Sequence, residues 1–199
     1  MKRILIFLFL LFFLISPSLS FGSQPMETLR YAVDNVISIL EDKTYQNSQQ
    51  KEDQQQKIWD IFVQIFDFEE MSKRTLANDW RSFTPQQQVE FSDIFAKFLG
   101  NTYLGKLQKE FNGESVDYLG NEMLTDTKAV VRTTILRQGV EVPIDYSMLL
   151  KENAWKIYDV KIEGVSLLKN YRAQFRSILM KNSPEYLIDM LKKKIEGQV

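Results

Sequence analysis

Residues 129–162 run AVVRTTILRQGVEVPIDYSMLLKENAWKIYDVKI. This stretch decides the fold class. Ala129 to Arg137 is rich in β-branched residues and ends in Gln138-Gly139, a turn signal. Val140 to Leu150 then alternates, with Val140, Val142, Ile144, Tyr146 and Met148 on one face. Asn153-Ala154 marks a second turn, and Trp155 to Ile162 supplies a further strand. Upstream, beyond Gly113, residues 115–121 have the character of a first strand. Successive strands joined by such short turns must pair antiparallel, because a parallel pair needs a long crossover. The expected sheet therefore has three to four antiparallel strands.

On either side of this sheet the pattern is helical. Met26, Leu29, Val33, Val36, Ile37 and Leu40 recur at helical spacing, which predicts an amphipathic helix over 25–43. Residues 44–56, with Gln54-Gln55-Gln56, have the composition of a solvated connection. Ile58, Ile61, Phe62, Ile65 and Phe66 resume the helical period, and Asp67 is placed to cap a short helix through Met71 to Leu76. Thr84-Pro85 combines a cap residue with Pro at the first helical position, opening a helix to about Phe111. After the sheet, Leu167 to Met180 is helical again, and Pro184 restarts a last helix to Ile195. The fold class expected is α+β, a helical front and tail packed on the sheet.

The N-terminus is of a different kind. Met1-Lys2-Arg3 is basic, Ile4 to Ile15 is an unbroken apolar run of 12 residues, and Ser16 to Gly22 carries small residues around Pro17. That is the layout of a cleaved secretory signal, residues 1–22, with the mature N-terminus between Phe21 and Gln24. The run falls short of the roughly 20 residues that span a bilayer. Residues 23–199 are then expected as one exported domain. Removing Lys2 and Arg3 from 25 basic residues leaves 23 against 26 acidic ones, a net charge of −3. No basic excess points to nucleic acid.

Residue types absent from the chain exclude much chemistry. It has no His and no Cys. Ser–His and Cys–His nucleophile pairs, His-ligated metals, zinc fingers, disulfides and a lipidated N-terminal Cys are all ruled out. There is no Gly-rich phosphate loop and no metal-ligand spacing, so neither a cofactor nor a metal is expected. Asp67, Glu69 and Glu70 form an acidic cluster whose plain reading is helix capping and favourable charge at a helix N-terminus. Asp145 or Asp159 would be the base of an enzyme in such a fold; the simpler placement is the solvated side of a strand, or a pair with Lys or Arg.

Large apolar side chains are unusually many for one modest sheet. Phe62, Phe66, Phe68, Trp80, Phe91, Phe95, Phe98 and Tyr103 lie on helices, and Tyr146, Met148, Trp155 and Tyr158 on strands. Such a set builds either a packed core or the wall of an apolar cavity between sheet and helices. Periodicity alone leaves both open.

Three stretches together resemble a known family. The first is Phe66-Asp67-Phe68-Glu69-Glu70-Met71-Ser72 followed by Leu76-Ala77-Asn78-Asp79-Trp80. The second is Thr84-Pro85-Gln86-Gln87-Gln88 with Phe91, Phe95, Leu99, Thr102 and Tyr103. The third runs from Trp155-Lys156-Ile157-Tyr158-Asp159-Val160 through Gly164-Val165-Ser166-Leu167 to Asn170-Tyr171-Arg172-Ala173-Gln174-Phe175. In order and content they resemble the MlaC-type periplasmic phospholipid-shuttle proteins, the toluene-tolerance auxiliary component of an ABC transport system. One departure stands at Ala77-Asn78, where the resemblance leads one to expect a glycine.

The resemblance implies a cone distantly like nuclear transport factor, with an apolar pocket for acyl chains. It implies two partners, an outer-membrane lipoprotein complex and an inner-membrane ABC transporter with a periplasmic lipid-binding ring. It implies a monomeric, non-catalytic carrier working in maintenance of outer-membrane lipid asymmetry. A hopanoid-carrying branch and an adaptor with a filled core are the alternatives; a two-lobed solute-binding protein is disfavoured by the lack of alternating strand and helix units. The residues expected to line the pocket are Val165 in the strand-to-helix turn, Phe95 and Phe98 on the long helix, Tyr146, Met148 and Trp155 on the sheet, and Phe66.

Overall fold

The computed structural model describes residues 24–197. The expected signal, residues 1–22, lies outside the described residues. Among the described residues, six α-helices pack on a five-stranded antiparallel sheet. The class is α+β, as the strand pattern requires.

Helix α1 (Pro25–Glu41) opens on Pro and buries Leu29, Ala32 and Val36, a stripe at the helical period. Helix α2 (Ser48–Ile65) starts eight residues before Gln56, inside the stretch expected as a connection. The correction has a local cause. Asn47 accepts from the Gln50 N–H at 2.9 Å, and the Gln50 side chain accepts from the Asn47 N–H at 3.2 Å. This capping box satisfies two end donors, and Gln and Lys lose little rotamer freedom in a helix. Gln54 is itself buried, its amide donating to the Ile39 carbonyl of α1 at 2.7 Å.

Helix α3 (Phe68–Leu76) is capped by Asp67, which accepts from the Glu70 N–H at 3.0 Å. A 3-10 segment, Ala77–Ser82, leads to α4 (Pro85–Glu110), opened by a Thr84–Gln87 capping box. After the sheet come α5 (Leu167–Leu179), capped by Ser166, and α6 (Pro184–Ile195), capped by Ser183.

Strands β1 (Ser115–Thr125), β2 (Lys128–Arg137), β3 (Val140–Lys151), β4 (Ala154–Ile162) and β5 (Val165–Ser166) lie in sequence order. Three tight turns join them at Gln138-Gly139, Glu152-Asn153 and Glu163-Gly164, with positive φ at all six residues. That geometry matches the right-handed twist of paired strands, and Gly139 and Gly164 adopt it without steric cost. The short β5 was not foreseen. It pairs Ile162 with Val165 and so turns the expected loop into the sheet's last ladder. Strand β1 runs to Thr125 rather than 121, bulging at Leu119, where Tyr118 and Gly120 pair consecutively with Thr133 and Arg132.

Buried apolar side chains fall into three groups. One is mainly helical and joins α3 to α6 around Phe91, Phe95, Tyr171, Phe175 and Leu187, with Tyr158 of β4 packed against it. A second lies between the sheet and the first two helices, with Leu29, Ala32 and Ile65 against Ala129, Val131, Met148, Trp155 and Ile157. A small third group ties α1, α2 and α4 through Val36, Ile58 and Leu104.

Candidate functional site

Strand pairing defines the sheet face that meets α1 and α2. Directly opposed residues share a face, so three cross-strand rows can be followed. The first is Ala129–Met148–Ile157, the second Val131–Tyr146–Val160, and the third Thr133–Ile144–Ile162–Val165. Exposure rises along the third row, from Thr133 at 1% and Ile144 at 7% to Ile162 at 43% and Val165 at 65%. The inner face is thus closed at its Met148 end and open at its Val165 end. Tyr158 is the extra residue of a bulge in β4, which keeps both Ile157 and Val160 on the inner face.

Helix α1 covers β1 and β2, while the end of α2 reaches β4. Strand β3 lies between them, and Tyr146 at its centre is only half-buried. Burial nevertheless pushes the Tyr146 phenol up to about 12, with Thr133 as its neighbouring hydroxyl. Tyr146 thus packs among apolar neighbours while keeping part of its surface accessible. Helix α1 is held over β1 by polar contacts. The Tyr118 hydroxyl donates to Asp34 at 2.7 Å, and the Arg30 guanidinium stands 4.1 Å above the Tyr118 ring. Burial, then the Asp34 bond, raises the Tyr118 phenol.

The structure divides the residues singled out in the sequence. Tyr146, Met148 and Trp155 share the inner face, and Phe66 packs against them. Val165 stands at the open end of the same face. Phe95 and Phe98 do not join this group. Phe95 is fully buried among helices, stacked on Phe91 at 5.6 Å and edge-on to Tyr171 and Phe175, each at 5.5 Å. Phe98 meets Tyr171 edge-on at 5.6 Å. Phe66 also touches the helical cluster, stacking on Phe68 at 5.7 Å, and lines an open cleft of about 400 Å³ with Lys151 and Lys156. Val131, Thr133 and Ile144 lie on the same face and Leu29 packs in the same cluster, though none was among the residues expected to line a pocket; the period of two along β2 points to Val131 and Thr133.

The acidic candidates have structural partners. Asp67 caps α3 and also pairs with Lys151 at 2.9 Å, tying the α2–α3 corner to β3. Asp159 is buried rather than solvated: it accepts from the Ser166 hydroxyl at 2.6 Å and the Leu168 N–H at 3.2 Å. It anchors β5 and the start of α5, which is why it leaves the solvent. Asp145 stands opposite Arg132 on the outer face. Among the described residues no group of three or more acidic side chains is placed to hold a metal ion, and no helix is long and apolar enough to cross a membrane.

Comparison with known proteins places this architecture. The family described as MlaC protein matches residues 30–193, most of the chain and every element from α1 to α6. The chain belongs to the MlaC family. Among solved structures, the phospholipid-binding protein from Ralstonia solanacearum, determined in complex with a phospholipid, is similar at 27% identity and a TM-score of 0.75. The similarity covers 88% of this chain and 99% of that one. No curated protein sequence matches. The MlaC assignment accounts for the order of the three sequence stretches and for the antiparallel sheet behind the helical front.

Proposed function

We propose that this MlaC-family chain is a periplasmic, non-catalytic phospholipid carrier. The observation that carries the reading is the likeness, over nearly the whole of both chains, to a protein solved with a phospholipid. Residues 1–22 act as an export signal and residues 23–199 as one lipid-binding domain. The acyl chains lie along the inner face of the sheet, beside Tyr146, Met148, Trp155 and Phe66, and the headgroup stays near the open end at Val165. Phe95 and Phe98 support this wall from the helical core.

The energetics suit a carrier. Burying a methylene is worth about 0.8 kcal/mol, so one acyl chain of roughly fifteen methylenes resists water by about 12 kcal/mol. Between a membrane and an apolar furrow the same chain is nearly indifferent. The protein has only to exclude water, and direction must come from its partners. These are an outer-membrane lipoprotein complex and an inner-membrane ABC transporter with its periplasmic lipid-binding ring, in a cycle that maintains lipid asymmetry. The test is extraction: purified protein is incubated with vesicles of phosphatidylethanolamine and phosphatidylglycerol, then separated from them. The expected protein fraction carries stoichiometric phospholipid; protein recovered free of lipid contradicts the reading.

A further inference from the structure

Tyr146 is the polar residue at the centre of a largely apolar surface. Across the strands it faces Val131 and Val160, and along β3 its inner-face neighbours are Ile144 and Met148. Its ring packs against the apolar cluster between the sheet and the first two helices yet keeps accessible surface. The charged residues nearest in register, Arg132, Asp145 and Lys161, stand opposite one another on the other face of the sheet, where Arg132 pairs with Glu122. Thr133, the hydroxyl beside it, already donates to the Ile144 carbonyl at 3.4 Å. Tyr118, the other phenol on this face, has its proton committed to Asp34. Tyr146, with Thr133 as its neighbouring hydroxyl, is therefore an uncharged polar group at the centre of this face.

Resting on the carrier reading, we propose that the Tyr146 hydroxyl reads the ester carbonyl of a glycerolipid and so selects ester-linked chains. The charge pattern chooses this atom over the phosphate. A phosphate oxygen out of water needs a cation or several donors, whereas Arg30, the cation α1 brings to this side, stands over the Tyr118 ring, and the Tyr118 and Thr133 hydroxyls already have acceptors. An ester carbonyl is a neutral acceptor located where apolar chain begins, which is the environment the Val131–Tyr146–Val160 row provides. A phenol is neutral throughout the physiological pH range and so keeps its proton there.

The experiment compares two lipids with the same phosphoglycerol headgroup and chain length, one a diester and one a diether. Wild-type protein is expected to retain the diester about fivefold better in competition, the scale of one neutral hydrogen bond in a site that excludes water. Tyr146→Phe should abolish that preference, bringing the ratio of diester to diether retained to about one. The ester carbonyl stretch of wild-type-bound lipid should shift to lower frequency, a readout that needs no variant. Equal retention of both lipids by the wild type, or a preference that survives in folded Tyr146→Phe, overturns the assignment while leaving the carrier reading intact. Wild-type protein that binds neither lipid removes the carrier reading, and the inference with it.

Discussion

Ala77 stands where the chain leaves α3, with φ 50° and ψ −115°. This region is close to forbidden for a residue with a Cβ and open to glycine. Strain of this kind costs about 1–3 kcal/mol. Ala77→Gly removes it, at an entropic cost of about 0.5–1 kcal/mol from the freer unfolded chain. The net expectation is a stabilisation of about 1 kcal/mol, or a rise in Tm of roughly 2–4 °C for a chain of this size. The assay is thermal and urea unfolding of both proteins after delipidation, since bound lipid would itself raise the apparent stability. Ala77→Val supplies the opposite perturbation and should lower Tm, because branching worsens the same clash. An Ala77→Gly protein less stable than wild type would refute the strain argument, as would an Ala77→Val protein of unchanged Tm.

Other expectations follow from particular contacts. Ser72 and Thr75 are fully buried on α3 with hydroxyls that lack partners; Thr75→Val should stabilise by about 1 kcal/mol in urea unfolding, since an unmet hydroxyl costs about 1–3 kcal/mol. A Cβ at Gly100 would come within 2.8 Å of the Trp59 ring, so Gly100→Ala should cost about 1–3 kcal/mol and shift tryptophan emission as Trp59 moves. Because Val165 is exposed, Val165→Glu should change Tm little, yet an ionised group at the open end of the furrow should sharply reduce co-purifying phospholipid; a folded variant with its full lipid complement removes Val165 from the site. Burial raises the Tyr146 phenol to about 12 from 10.0. The unfolded chain thus releases that proton first, and stability should fall between about pH 10 and 12, less steeply in Tyr146→Phe.

Much of the fold was legible because its signals are local. Thr84-Pro85, the Asp67 cap and the turns at Gln138-Gly139 and Asn153 each act within a few residues, and each marks a real boundary. The start of α2 was hidden because its buried face includes Gln54, a polar residue whose burial depends on the Ile39 carbonyl of another helix. Strand β1 was cut short at Asn121 because bulges break its alternation. The candidate site was legible only in part. Tyr146, Met148 and Trp155 follow from strand periodicity. Phe95 has the same composition signal, but its place in the helical core depends on α5, seventy or more residues away in the chain. Asp159 likewise reads as a surface residue until β5 folds back and brings Ser166 to it. Within the Ala77-Asn78 departure, it is Ala77 whose backbone adopts a conformation that glycine would favour.

The most direct test of the carrier account is native mass spectrometry of the exported protein, purified from an expressing cell without detergent, followed by lipid extraction. The expected result is a mature chain beginning between Phe21 and Gln24, monomeric, with one co-purifying phospholipid that dissociates on activation. A compact protein that is uniformly lipid-free would contradict it and favour an adaptor with a filled core.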